Sequence, residues 1–106
     1  MEPIRGEVWD ARIPVAGMHP VVVLTTNAMI GRLSSVTVAV VTGTPGPSPT
    51  HIALDGEAGL TRYPISFVNA TDLHTIARPA LRRRRGRLHP AEQRRLDAAV
   101  VTYLGL

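Results

Sequence analysis

Two runs decide the fold: His19-Pro20-Val21-Val22-Val23-Leu24-Thr25-Thr26 and Val36-Thr37-Val38-Ala39-Val40-Val41-Thr42. Both are dominated by β-branched residues and alternate too little between apolar and polar for a half-exposed sheet. They predict two central strands, Val21 to Thr26 and Val36 to Thr42, covered on both faces. Between them, Asn27 to Ser35 reads as a loop with room for one helical turn, since Gly31 weakens anything longer. Working outward, Glu7 to Ile13 alternates imperfectly around Val8, Ala11 and Ile13, and Pro14 with Gly17 ends it. Thr44-Pro45-Gly46-Pro47-Ser48-Pro49 lacks an amide hydrogen at three positions and must be a turn or loop. A fourth strand, His51 to Leu54, stops at Asp55-Gly56. A fifth and a sixth fall near Ile65 to Asn69 and Leu73 to Ala77.

The C-terminal segment has the signature of a helix. Pro90 suits the first helical position, Glu92 complements the positive helix start, and His89 stands where the N-cap belongs. Leu96, Ala99, Val100, Tyr103 and Leu104 recur on one face before Gly105 ends the element. Five or six short strands followed by one amphipathic helix imply a mainly β fold, a small barrel closed on one side by that helix. At 106 residues the chain is one domain, residues 1–106, and its 44% hydrophobic content supplies one core. No apolar run approaches the roughly 20 residues a spanning helix needs. The first residues hold acids, a proline and a glycine where a secretory leader would be basic and apolar, so the cytoplasm is the expected compartment. With no cysteine there is neither a disulfide framework nor a thiolate metal site, and no two of the four histidines have ligand spacing on one element.

All twelve basic residues are arginine, and eight lie between Arg78 and Arg95 against a single acid there, Glu92. The remainder is mildly acidic, so charge is concentrated in one segment. Such a segment faces a polyanion or is a solvated edge, and charge alone does not choose. Chemistry must come from strand ends. Antiparallel pairing of the two central runs with Thr26 opposite Val36 sets Pro20 opposite Thr42, which brings His19 and Thr42 to one rim within a residue or two of register. A proton-exchanging imidazole beside a hydroxyl donor is a minimal kit for acid–base work on a phosphodiester.

Read in order, Arg5-Gly6-Glu7-Val8-Trp9, His19-Pro20-Val21-Val22-Val23-Leu24 leading to Asn27, and Val36 to Thr42 resemble the MazF/PemK family of toxins. Pro49-Thr50-His51-Ile52, Thr75-Ile76, Arg84-Arg85-Gly86-Arg87-Leu88 and the closing Leu96 to Leu106 continue the resemblance over nearly the whole chain. It implies the SH3-like barrel of MazF, PemK and CcdB, a homodimer, and sequence-selective cleavage of single-stranded RNA without metal or other cofactor. A cognate MazE-like antitoxin is the implied partner. Thr42 matches one of the family's catalytic positions. Where the family usually has Arg-Pro at the start of the second strand, this sequence has His19-Pro20, and a second histidine, His74, stands where many relatives have arginine.

Metal-free RNA cleavage needs a base for the 2′-hydroxyl, donors or charge for the developing phosphorane, and a proton for the 5′-oxygen. His19 is the candidate base or acid, Thr42 the hydroxyl donor, and His74 the candidate complementary acid. Thr25 and Asn27 are candidates for orienting the backbone, and a turn-forming role competes for Asn27. Arg82, Arg83, Arg84, Arg85 and Arg87 would hold RNA phosphates, meet an acidic antitoxin tail, or face solvent. Trp9 reads as buried packing rather than a base platform. Two rival functions share the barrel: a toxin that inhibits a protein such as gyrase without cutting RNA, and a nucleic-acid-binding module without toxicity.

Overall fold

The computed structural model describes residues 2–55, 58–60 and 65–106. Its strands are β1 (Glu7–Ile13), β2 (Gly17–Val23), β3 (Ser35–Thr42), β4 (His51–Leu54), β5 (Ser66–Ala77) and β6 (Leu81–Arg87). A one-turn helix α1 (Asn27–Ile30) links β2 to β3, a 3-10 turn (Arg78–Ala80) links β5 to β6, and α2 (Pro90–Leu104) closes the chain. All pairings are antiparallel, in the order β4-β5-β3-β2-β1-β6.

The two β-branched runs occupy the middle of that order, as their composition demands. Val22, Ala39 and Val41 pack on one face with Val8, Ile52, Val68 and, from α2, Leu96 and Ala99. Val21, Val23, Val36, Val38 and Val40 pack on the other with Trp9, Ala11, Ile13, Ile30 and Ile76. Each strand thus feeds two cores, which is why polar alternation is missing from its sequence. Trp9 is buried, and its indole N–H donates to Glu7 Oε1 at 3.1 Å.

Several expectations need correction. β2 begins at Gly17 and ends at Val23, earlier at both ends than Val21 to Thr26. Pro20 is tolerated inside it because β3 pairs with β2 only over Val21–Val23. Beyond Val23, the Thr25 hydroxyl takes over from the ladder by accepting from Thr37 N at 2.8 Å. The β2–β3 register is Val21↔Val40, one residue from the expected pairing, so continuing it brings His19 level with Thr42. The fifth and sixth strands near Ile65 to Asn69 and Leu73 to Ala77 are one strand, β5. Its ladder with β3 jumps from Val40↔Asn69 to Ala39↔Leu73, so Ala70, Thr71 and Asp72 form a bulge. Asn69 Oδ1 holds that bulge by accepting from Thr71 N at 2.9 Å and Thr71 Oγ1 at 2.7 Å.

The arginine run, unassigned from sequence, is itself the sixth strand at an edge of the sheet. The two edge strands, β4 and β6, are not paired with each other among the described residues, so the SH3-like barrel is open rather than closed. Helix α2 lies against β4 and β5. His89 is its N-cap: His89 Nδ1 accepts from Glu92 N at 3.3 Å while Glu92 Oε1 accepts from His89 N at 3.0 Å, a reciprocal capping box. Gly105, at φ 72, closes the other end. Gly56, half of the expected stop after β4, lies outside the described residues.

Candidate active site

A cavity of about 520 Å³ opens where the start of β2, the end of β3, the bulge of β5 and β6 converge. His19 and Thr42 both line it, together with Asn69, Ser66, Asp72 and Arg85. Each reaches the site for a local reason. His19 sits four residues after the Val15 turn, where Val15 adopts φ 71 and Gly17 φ 86 to reverse the chain. Its Nε2 lies 3.0 Å from the Ala16 carbonyl oxygen, which can only accept, so Nε2 carries a proton and the neutral ring keeps its lone pair on Nδ1. The hairpin thereby selects the tautomer that leaves a base.

Thr42 ends β3. Its hydroxyl oxygen accepts from Thr44 N at 3.1 Å, which fixes the side chain while its own hydrogen stays free to donate. Asn69 immediately precedes the β5 bulge and Asp72 is its last residue, and both line the cavity. Asp72 Oδ1 is 2.7 Å from His74 Nε2. The second candidate histidine therefore stands behind Asp72 rather than in the lining, and reaches the site only through that carboxylate.

Thr25 and Asn27 lie elsewhere. Thr25 accepts from Thr37 N, and Asn27 Oδ1 accepts from Arg5 N at 2.7 Å, so both tie the β2–β3 connection to its surroundings. Along β6, Arg84 Nε donates to Glu7 Oε2 at 2.6 Å and Arg85 pairs with Asp10. Arg82, Arg83 and Arg87 are exposed and make no side-chain hydrogen bond or ion pair among the described residues. The run is thus divided between structural pairs, one cavity residue and free surface charge.

Asp55, His89 and Glu92 form the one group among the described residues with ligand atoms within 4.8 Å of one another. Sequence spacing could not show it, because β4 brings Asp55 to the start of α2. His89 and Glu92 also make the capping box, and Asp55 joins them, with His89 Nε2 3.0 Å from Asp55 Oδ2 and Asp55 N donating to Glu92 Oε2 at 2.8 Å. This cluster fastens the helix to β4.

A family model described as PemK-like, MazF-like toxin of type II toxin-antitoxin system matches residues 4–104. The chain belongs to that family. It is 39% identical over 88 residues to a probable endoribonuclease MazF2 of Mycobacterium tuberculosis, covering 82% of this chain and 83% of that one. It is 29% identical over 104 residues to endoribonuclease MazF1 of Mycobacterium bovis, covering 98% and 94%. Among solved structures, an endoribonuclease in complex with its cognate antitoxin from a mycobacterial species superposes with a TM-score of 0.87, at 28% identity over 98% of this chain and 96% of that one. The MazF of a MazE–MazF complex from Deinococcus radiodurans, at 16% identity and covering 99% and 98%, shares the fold with a TM-score of 0.79. In this MazF-like chain the two sequence candidates that the structure brings together in the cavity are His19 and Thr42. Asp10, Ser66, Asn69, Asp72 and the individual place of Arg85 were missed, since bulges rather than strand spacing bring the last three into position.

Proposed function

We propose that this MazF-like chain is the toxin of a type II toxin–antitoxin pair and an endoribonuclease that cuts single-stranded RNA at selected sequences, thereby inhibiting translation and growth. The observation that carries the reading is the convergence of His19 and Thr42 on one cavity, in a chain whose named relatives are endoribonucleases. In the proposed step, His19 Nδ1 takes the proton of the 2′-hydroxyl and the 2′-oxygen attacks phosphorus. The bond from phosphorus to the 5′-oxygen breaks, and that oxygen takes a proton from solvent at the open side of the cavity. The products are a 2′,3′-cyclic phosphate and a 5′-hydroxyl. The Thr42 hydroxyl donates to a non-bridging oxygen as its charge grows.

Asn69, Ser66 and the Asp72–His74 pair surround the reacting groups with donors and acceptors suited to base edges, and the exposed arginines of β6 supply sequence-independent attraction to phosphates. The active unit is a homodimer of a single domain spanning residues 1–106, working in the cytoplasm. A MazE-like antitoxin restrains it. Incubating the purified protein with a long RNA in the presence of chelator tests the reading: cuts at a recurring short sequence support it, and intact RNA refutes it. Mapping the new 5′ ends reads out the sequence and whether messenger, ribosomal or transfer RNA is cut.

A further inference from the structure

Arg85 differs from every other arginine of β6 in where its side chain is held. The ladder between β1 and β6 steps from Val8↔Gly86 to Trp9↔Arg84, so Arg85 is the extra, unpaired residue of a β-bulge. A bulge breaks the alternation of the strand and re-aims one side chain. Here it directs Arg85 into the cavity that holds His19 and Thr42, and Arg85 is the single arginine among the described residues lining it.

The guanidinium is fixed on two sides. Nη1 donates to both carboxylate oxygens of Asp10, each at 3.2 Å, and Nη2 donates to the Gly59 carbonyl oxygen at 3.0 Å. The main chain at Gly59 runs so close to β6 that an added Cβ would overlap the Arg85 carbonyl oxygen, and its φ of 75 suits glycine. Nε and the remaining amino hydrogens have no partner among the described residues. The planar fork is therefore anchored along one edge and keeps donors on the other.

Charge bookkeeping gives those donors a task. The cavity lining holds two carboxylates, Asp10 paired with Arg85 itself and Asp72 beside His74, and among the described residues no guanidinium or ammonium other than Arg85 lines it to meet a phosphodiester. An imidazole is only partly protonated near neutrality, whereas a guanidinium keeps its charge throughout. We propose that Arg85 is a catalytic residue: it contacts the scissile phosphate and stabilises the negative charge that builds on its non-bridging oxygens, with Asp10 as its positioning residue. This role rests on the RNA-cleaving function proposed above. It assigns one arginine of the run to the transition state and leaves Arg82, Arg83 and Arg87 to non-specific attraction.

The test compares wild type, Arg85→Ala, Arg85→Lys and Arg32→Ala, an exposed control outside the cavity and β6, in single-turnover cleavage of one RNA, alongside binding of its 2′-deoxy analogue. Arg85→Ala should lose on the order of 10²–10³-fold in rate, as expected when a preorganised donor to developing charge is removed. Low-millimolar guanidinium chloride, but not sodium chloride, should restore part of that rate, which a purely structural role would not allow. Arg85→Lys, which keeps a cation opposite Asp10 and guards against loss of fold, should lose roughly tenfold because a point charge replaces the fork. Arg32→Ala should stay within a few-fold of wild type. Wild-type rates in Arg85→Ala or Arg85→Lys would overturn the assignment while leaving the nuclease reading intact. An inactive wild type whose analogue binding still depends on Arg85 would refute the nuclease reading and keep the phosphate contact; binding without such dependence would refute both.

Discussion

In the proposed mechanism the proton transfer rests on His19. Its Nε2–H is committed to the Ala16 carbonyl, which leaves Nδ1 as the basic atom. Replacing it with alanine should lower the cleavage rate by about 10²–10⁴-fold, the range for a general acid or base, with little change in the affinity for an uncleavable RNA. Thr42→Ala should lose less, because one neutral donor is removed and water partly replaces it. His19→Arg should give a flatter pH–rate profile than wild type, since a guanidinium does not titrate near neutrality. Stopped reactions over a pH series for the three variants measure all of this, and wild-type cleavage by His19→Ala would remove proton transfer at this residue from the mechanism.

Among the elements, β1 and β6 are joined by more than their ladder. Glu7, buried at the start of β1, accepts from Ile4 N at 2.8 Å, from the Trp9 indole at 3.1 Å and from Arg84 Nε at 2.6 Å. Glu7→Ala leaves a buried indole N–H without an acceptor and frees an arginine on the edge strand. The expected cost is about 2–3 kcal/mol, read as a fall in Tm of roughly 10–20 °C for a domain of this size. An unchanged Tm would show that solvent satisfies these donors. Element-level sequence reading succeeded where apolar pattern and terminal chemistry agree: Glu7–Ile13, His51–Leu54, the single turn after Asn27, and the helix from Pro90 to Gly105 with His89 at its cap. It failed where polar residues carry a strand. Thr71 and Asp72 looked like a break in β5, yet Asn69 bridges the bulge from its own side chain. Arg82 to Arg85 hid β6, because an edge strand needs neighbours on one side only and so tolerates charge. Both omissions are bulged strands, and the β5 bulge and the β6 bulge at Arg85 each contribute to the cavity lining, which is why the pair His19 and Thr42 was legible but its surroundings were not.

At the scale of the molecule, charge and function are divided across the sheet. Among the described residues β6 is an edge strand, and under the proposed function its exposed arginines would receive an extended, acidic and apolar segment of an antitoxin that is disordered when free. Such a segment should bind more weakly as salt rises, and saturation with it should abolish RNA cleavage because β6 also lines the cavity. Full binding of a cognate antitoxin with undiminished nuclease activity would place the partner elsewhere. The central claim concerns the chemistry of the cavity itself, in which the attacking group belongs to the substrate. Its most direct test is an RNA carrying a single deoxyribose at the mapped scissile position, incubated with the protein in chelator beside the all-ribose parent. The account predicts that the parent is cut to a 2′,3′-cyclic phosphate and a 5′-hydroxyl while the substituted strand binds and stays intact; cleavage of the substituted strand at the same position would contradict it.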